Sequence, residues 1–429
     1  MNTREADLER FRDTLSELGN PQDDFKIIHI AGTKGKGSTA AMLASILQEC
    51  GYRTGLYTSP HLITVRERIV VDGEEVSRVQ FAEAMTTIRR ATRELLEEQS
   101  LAFRTVFEHL TAAAMLVFQD AGVEIAVVET GLGGKLDTTV VFDPILTIMT
   151  PIGLDHTLVL GDTIAEIAWD KAHILKRDVP AVTAPQTQEA ITELVKRAKS
   201  IGTVLHTARG KSEFQVIDRT LFGTKVESDR EWLVGQSIQL PLAGSFQLTN
   251  LSTVLTAVEQ LQKYLDLKNE VVIRGIASAK WEGRLQVVGD SAPIILDGSH
   301  NELAMQSLFV ALDELSCRGK LHVVFSALKG KPVKEMLQVM DGMTKQVYLT
   351  EINFPKVLPL CELEQIADSL QIDYKSERNS AAALDKATAG CEAGDYVLVT
   401  GSFYLVGETM RHLRHLPAPP SDGRIDDAI

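Results

Sequence analysis

The 429-residue chain has little of what would mark a secreted, membrane-spanning or nucleic-acid-binding protein. Its four cysteines, Cys50, Cys317, Cys361 and Cys391, are scattered, and no two form a CxxC pair. That argues against a disulfide framework and against a zinc site, and leaves ordinary reduced thiols. No stretch approaches the ~20 apolar residues a membrane helix needs, and the opening MNTREADLER is charged where a signal peptide is apolar. A cytoplasmic location is expected, with no membrane partner. Positive charge is short as well: 44 Lys and Arg against 58 Asp and Glu leave a net charge of −14. A phosphate polymer would be repelled over most of such a surface, so no nucleic-acid partner is expected. A locally positive pocket can still take a small anion. What is present is a globular composition, 44% hydrophobic and 24% charged, at a length that fits two or three domains.

One stretch organises the rest: Ile27 to Leu47, which reads IIHIAGTKGKGSTAAMLASIL. Ile27 to Ile30 have strand character and run into a glycine-broken turn, Gly32-Thr33-Lys34-Gly35-Lys36-Gly37-Ser38, which opens an Ala- and Leu-rich helix. Strand, glycine loop and helix in that order make a phosphate site. The glycines let backbone N–H groups converge on an anion, the helix N-terminus adds its positive dipole end, and Lys36 supplies a point charge for the β- and γ-phosphates. The strict phosphate-loop pattern closes Gly-Lys-Ser/Thr. Here Gly37 separates Lys36 from Ser38, so the general motif is met only in part. Such a turn also fits a close strand-to-helix corner, but the two lysines inside it favour a nucleotide triphosphate.

Hydrophobic periodicity predicts helices over Asp7–Leu18, Val79–Glu98, Val106–Phe118, Ile164–Leu175, Glu189–Lys199 and Phe246–Tyr264. Strands are expected at Thr54–Tyr57, Glu67–Val71, Ile125–Glu129, Ile145–Met149 and Ala181–Thr183. From Thr203 to Leu240 short alternating runs suggest an antiparallel patch. A boundary is expected near Lys280–Arg284, beyond which the alternation restarts with strands at Ile294–Leu296, Val323–Phe325, Val347–Leu349 and Val397–Val399. The expected fold class is therefore α/β: a mostly parallel sheet carrying the phosphate loop over residues 1–282, then a smaller Rossmann-like α/β domain over 283–416. Residues 417–429, with three prolines and several charges, read as an unstructured tail. Glu129 ends a predicted strand, and His156, Asp297 and His300 fall just past predicted strand ends, where parallel sheets bind ligands. On the residues alone, Glu129 also reads as a helix cap, His156 as a turn residue and Lys171 as an exposed helix lysine.

Further motifs follow in order: TSPHL (Thr58–Leu62), RERI (Arg66–Ile69), GLGGKLD (Gly131–Asp137), GLDHTLVLGDT (Gly153–Thr163), IAWDKAHILK (Ile167–Lys176), WEGRLQ (Trp281–Gln286), DGSHN (Asp297–Asn301) and TGSFYLVGE (Thr400–Glu408). With GTKGKGS at Gly32–Ser38, these resemble the folylpolyglutamate synthase/dihydrofolate synthase family, ATP-dependent amide ligases of the Mur type. The resemblance implies that Gly32 to Ser38 and Thr39 bind ATP, with Gln247 and Asn250 on the adenine side, Arg284 at an interdomain phosphate contact and Asp297 at the ribose. It implies that Ser59, Glu129 and His156 hold Mg²⁺, and that Lys171 is carboxylated by CO₂ and joins the metal site. Lys36, Lys171, Arg284 and His300 take the catalytic positions. Lys34 departs from the Asn commoner among bacterial members. The implied reaction adds L-glutamate to the side-chain carboxylate of a reduced folate through an acyl phosphate, in a monomer. The alternatives are a dihydrofolate synthase acting on dihydropteroate, alone or as a second activity, and a non-catalytic nucleotide-binding paralogue.

Overall fold

The computed structural model describes residues 3–97, 105–289 and 293–417. Eight strands form the first sheet: β1 (Lys26–Ala31), β2 (Thr54–Tyr57), β3 (Ile69–Val71), β4 (Glu74–Glu75), β5 (Ile125–Glu129), β6 (Leu146–Met149), β7 (Ala181–Thr183) and β8 (Leu205–Thr207). Their spatial order is β4-β3-β2-β5-β1-β6-β7-β8. The six strands from β2 to β8 in that order are parallel, and β3 and β4 continue one edge antiparallel. Apolar residues on both faces make β1 and β5 central: Ile28, Ile30, Ile125 and Val127 enter one core, and Ile27, Ala126 and Val128 the other. Helices Lys36–Glu49, Phe246–Leu261 and Asn269–Ser278 fill the first core, while Arg78–Glu97 and Val106–Asp120 cover the second. Three antiparallel strands, β9 (Phe214–Thr220), β10 (Gly223–Ser228) and β11 (Ser237–Leu240), form a separate small sheet that packs into the first core.

The second large sheet contains β12 (Gln286–Val288), β13 (Ile294–Leu296), β14 (Leu321–Phe325), β15 (Thr344–Thr350), β16 (Tyr374–Glu377) and β17 (Tyr396–Thr400), in the order β12-β13-β17-β14-β15-β16. All pairs are parallel except β12 with β13. Alternate residues again face two cores, Val323 and Phe325 on one side and Val324 on the other. An α/β fold with two parallel-dominated sheets follows. Among the described residues no helix is long and apolar enough to cross a membrane. Residues 418–429 of the expected tail and Glu98 of the expected helix end lie outside the described residues.

Three local expectations are corrected. The strand expected at Glu67–Val71 begins only at Ile69, because Val65–Arg68 form a single 3-10 turn. Glu67 forces that turn by accepting from the backbone N–H groups of Leu62, Ile63 and Thr64, while Thr64 caps from the other side. Leu205–Thr207 is not antiparallel: it extends the first sheet beside β7, and the antiparallel patch starts at Phe214. Strands β12 and β16 were not expected at all. Both are sheet edges, and the YKSE of β16 has the polar character edges carry.

The small sheet is clamped to the Phe246–Leu261 helix by charge. Arg230, 2% exposed, reaches Glu213 at 2.6 Å, Glu259 at 2.6 Å, the Thr256 hydroxyl at 2.9 Å and the Ser252 carbonyl at 3.2 Å. Removing the cation strands a buried carboxylate on Glu213. Arg230→Met is therefore expected to destabilise the fold by about 3–5 kcal/mol, checked by denaturant unfolding with Glu213→Gln/Arg230→Met as the partial rescue.

Candidate active site

The carboxyl ends of both parallel sheets open onto one cavity of about 1090 Å³. On the first sheet it is lined by the Thr33–Ser38 loop after β1, Ser59 and Pro60 after β2, Glu129 at the end of β5, and Asp155 and His156 after β6. The second sheet contributes Asp297 to Asn301 after β13, Leu328 and Lys331 after β14, and Gly401 to Tyr404 after β17. Arg284, from the link between the sheets, lies on the wall too.

The loop after β1 owes its shape to two glycines. Gly35 has φ +82°, and a Cβ there would overlap the Asn250 carboxamide. A Cβ at Gly37 would overlap the indole of Trp281. The glycine that interrupts the strict phosphate-loop pattern is thus the place where the loop receives a side chain from the inter-sheet link. The 14-residue helix Lys36–Glu49 starts inside the loop, so its first N–H groups and dipole face the cavity. Gln247 donates to the Ser38 hydroxyl at 3.2 Å and accepts from Asn250 at 2.7 Å.

Lys36 Nζ lies 3.6 Å from Glu129 Oε1 and 3.3 Å from the Gly32 carbonyl. Glu129 is 4% exposed, and its second oxygen, Oε2, has no hydrogen-bond partner. Burial pushes this carboxyl above its usual pKa, while Lys36, the Ser59 backbone N–H and Arg284 pull it back. A desolvated carboxylate with an empty oxygen, at the edge of a phosphate loop, is suited to a hard cation. His156, about half exposed, is pushed below its ordinary pKa by partial burial and by Lys331, Lys171 and Lys36, against Asp155. It is a neutral imidazole at neutral pH.

Lys171 sits behind the cavity wall at 4% exposure, with only its neighbour Asp170 on the lining. Its amine is lowered to about 7, chiefly by burial and then by the charge on Lys36. On the second sheet, Asp297 accepts from the Leu285 and Ser299 N–H groups, both at 2.9 Å, and from the Ser299 hydroxyl at 2.6 Å. His300 donates from Nδ1 to the Gly298 carbonyl at 2.9 Å, which fixes the tautomer and leaves Nε2 as the acceptor. Burial lowers its pKa to about 4. Arg284 donates to the Gly283 carbonyl at 3.1 Å and stacks over Phe403 at 4.4 Å.

Residues 283–403 match the Mur ligase, glutamate ligase domain family. The whole chain is also similar to the dihydrofolate synthase/folylpolyglutamate synthase of Bacillus subtilis, 31% identical over 410 residues that cover 95% of each chain. The chain belongs to the folylpolyglutamate synthase/dihydrofolate synthase family. Solved structures of family members share the fold. The Mycobacterium tuberculosis folylpolyglutamate synthase, complexed with ADP and AMPPCP, aligns with a TM-score of 0.86 at 30% identity over 96% of both chains. The Yersinia pestis bifunctional enzyme, complexed with AMPPNP and a Mn ion, aligns with a TM-score of 0.81 at 27% identity over 95% of this chain and 93% of that one.

Within this family fold, Thr33 to Ser38, Ser59, Glu129, His156, Asn250, Arg284, Asp297 and His300 all line the cavity, while Gly32, Thr39, Gln247 and Lys171 stand one layer behind it. Gln247 acts on the loop by holding Ser38. Lys34 faces away from the loop's own N–H groups: its ammonium donates to the Leu303 carbonyl at 2.7 Å and the Ser307 hydroxyl at 3.2 Å, on the Glu302–Glu314 helix of the second sheet. An Asn is too short for that reach. Among the lining residues that the sequence analysis gives no role are Arg68, Asp155 and Lys331. Arg68 and Asp155 lie inside the RERI and GLDHT motifs, and a charged residue within a loop motif was the available signal.

Proposed function

We propose that this chain is an ATP-dependent ligase that adds L-glutamate to the glutamate side-chain carboxylate of tetrahydrofolates, releasing ADP and phosphate. The observation that carries this reading is the meeting, on one cavity, of the phosphate loop with its unpartnered Glu129 oxygen and the Asp297–Asn301 turn of the second sheet. Family membership and the nucleotides held by the solved relatives support it. A phosphate loop alone would serve any nucleotide-hydrolysing protein. An amide ligase must also exclude water from an activated acid, and two lobes bordering one cavity provide for that. We assign residues 1–282 and 283–416 as those two domains.

Lys36 neutralises charge on the γ-phosphoryl as an oxygen of the folate carboxylate forms a bond to phosphorus and the bridging oxygen leaves with ADP. Arg284 and the N-terminus of the Lys36–Glu49 helix hold the phosphates in line, and Asn250 and Asp297 position the nucleoside. In the acyl phosphate that results, the amine nitrogen of glutamate bonds to the acyl carbon, phosphate departs with the C–O electron pair, and the proton the nitrogen loses passes to the departing phosphate. His300, with Nε2 as acceptor, faces the same space. Among the described residues no three His, Cys, Asp or Glu side chains cluster as a metal site. Ser59, Glu129 and His156 would supply part of a magnesium shell, with phosphate and water completing it, and the ion would neutralise the β- and γ-phosphates. The empty Glu129 Oε2 and the neutral His156 fit that assignment.

A second substrate has its own observation. Leu8, Phe107, Leu132 and Leu136 are apolar lining residues of the cavity, and apolar lining serves a ring system whether or not glutamate is already attached. Dihydropteroate is therefore the alternative acceptor. Purified protein with ATP, labelled glutamate and either tetrahydrofolate or dihydropteroate separates the two. Labelled product and equimolar ADP with tetrahydrofolate are expected, and no glutamate-dependent ADP with either acceptor would refute the ligase reading.

A further inference from the structure

Five basic side chains line the cavity among the described residues: Lys34, Lys36, Arg68, Arg284 and Lys331. Three are already engaged, and Lys331, whose ammonium makes no hydrogen bond or ion pair among the described residues, offers a point charge rather than a fork. Lys34 is bonded to Leu303 and Ser307, Lys36 pairs with Glu129, and Arg284 is committed to Gly283 and the Phe403 ring. Arg68 differs. Its Nε donates to His61 Nδ1 at 2.9 Å, and no ion pair or hydrogen bond among the described residues uses its two Nη groups. The nearest acid in sequence, Glu67, is consumed by three backbone N–H groups. A planar fork with its rear nitrogen tied down and both front nitrogens free has the geometry for a bidentate carboxylate. It lines the cavity, with Tyr404 and Glu129 within electrostatic reach.

The cost of leaving it there is visible. Burial lowers the guanidinium below its ordinary pKa, with Tyr57, Tyr404 and Glu129 only partly compensating. A partly desolvated cation with no carboxylate bonded to its Nη groups gains by meeting an anion. His61 accepts the Arg68 Nε–H at Nδ1, and this acceptor aims the fork.

We propose that Arg68 is a carboxylate-binding residue of this cavity, with His61 as its positioning residue, and that its ligand is a substrate carboxylate rather than a phosphate. The inference rests on the ligase reading above, which brings two carboxylate-bearing molecules to this site: the incoming glutamate and the folate acceptor. Neither the loop N–H groups nor Lys36 is placed to hold those groups, since both serve the phosphates.

The test is steady-state kinetics on the full chain, varying glutamate, tetrahydrofolate and ATP separately. Arg68→Gln is expected to raise KM for one carboxylate substrate by roughly ten- to a hundred-fold while KM for ATP stays within about twofold. A rise for glutamate identifies the incoming amino acid, and a rise for tetrahydrofolate identifies the acceptor; either supports the proposal. Arg68→Lys should recover part of the loss, as a charge without the fork. His61→Leu should follow Arg68→Gln, and His61→Asn, which keeps an acceptor for Nε, should recover part of that loss. Melting temperature and ADP binding monitor folding of each variant. Unchanged KM for both carboxylate substrates, or a rise confined to ATP, overturns the proposal. If the unaltered protein shows no glutamate-dependent turnover, the ligase reading fails and takes this inference with it; if it turns over normally and Arg68→Gln does too, only this inference fails.

Discussion

Lys36→Ala is expected to lower glutamate-dependent ADP release by roughly 10²–10³-fold, with the fold intact. The side chain is 17% exposed and makes two polar contacts, to the Gly32 carbonyl and to Glu129, so its loss opens little apolar core. Its value lies in where the charge sits, at the start of a helix whose N-terminal N–H groups already favour an anion. The variant also acts on Glu129. Lys36 is the foremost influence holding that buried carboxyl down, so removing it favours the protonated acid and empties the oxygen set offered to a cation. Two functions therefore fail together. Combining Lys36→Ala with Glu129→Gln should cost little more than the worse single change, because each disables the same phosphate-and-metal corner. Coupled ADP-release kinetics on both singles and the double measure this. Effects that multiply in full would show the two residues acting independently and refute the pairing.

How much of this was legible beforehand differs by the kind of force involved. Burial writes itself into sequence as periodicity, and Ile28, Ile30, Ile125 and Val127 marked the central strands because both faces of a parallel sheet must be apolar. The positions of Glu129, His156, Asp297 and His300 followed from the same logic, since strand ends are where a parallel sheet leaves room for ligands. Relations across long stretches of chain left no such trace. Nothing local distinguishes Gln247, which reaches Ser38 from behind the loop, from Asn250, three residues on, which lines the cavity. Lys34 stands in the loop, and its partners on a helix some 270 residues later leave no mark in the local sequence. The 3-10 turn that aims Arg68 depends on one carboxylate, Glu67, collecting three N–H groups, which alternation of apolar residues cannot report.

Lys171 poses the sharpest chemical question. It is wedged under the GLGG loop so tightly that a Cβ on Gly134 would overlap the Lys171 backbone, and it is almost wholly out of water. Burial first and Lys36 second lower the amine to about 7, so near neutral pH a large fraction is uncharged. Only the neutral amine can take up CO₂: the nitrogen lone pair bonds to carbon, one proton leaves to solvent, and a carbamate anion remains. That product reverses the local electrostatics, because the cation that repels Lys36 becomes an anion that attracts it. We therefore expect bicarbonate to raise activity, the increase growing from about pH 6 to about pH 8 as the amine deprotonates. Intact-mass measurement should find one added CO₂ on the unaltered chain and none on Lys171→Gln. Lys171→Gln should lose roughly 10²-fold in activity, and Lys171→Glu, which restores a negative charge on a shorter arm, should lose less. A full-speed Lys171→Gln, or an unmodified lysine across that pH range in bicarbonate, would leave the amine as a buried structural group and remove the acid from the site.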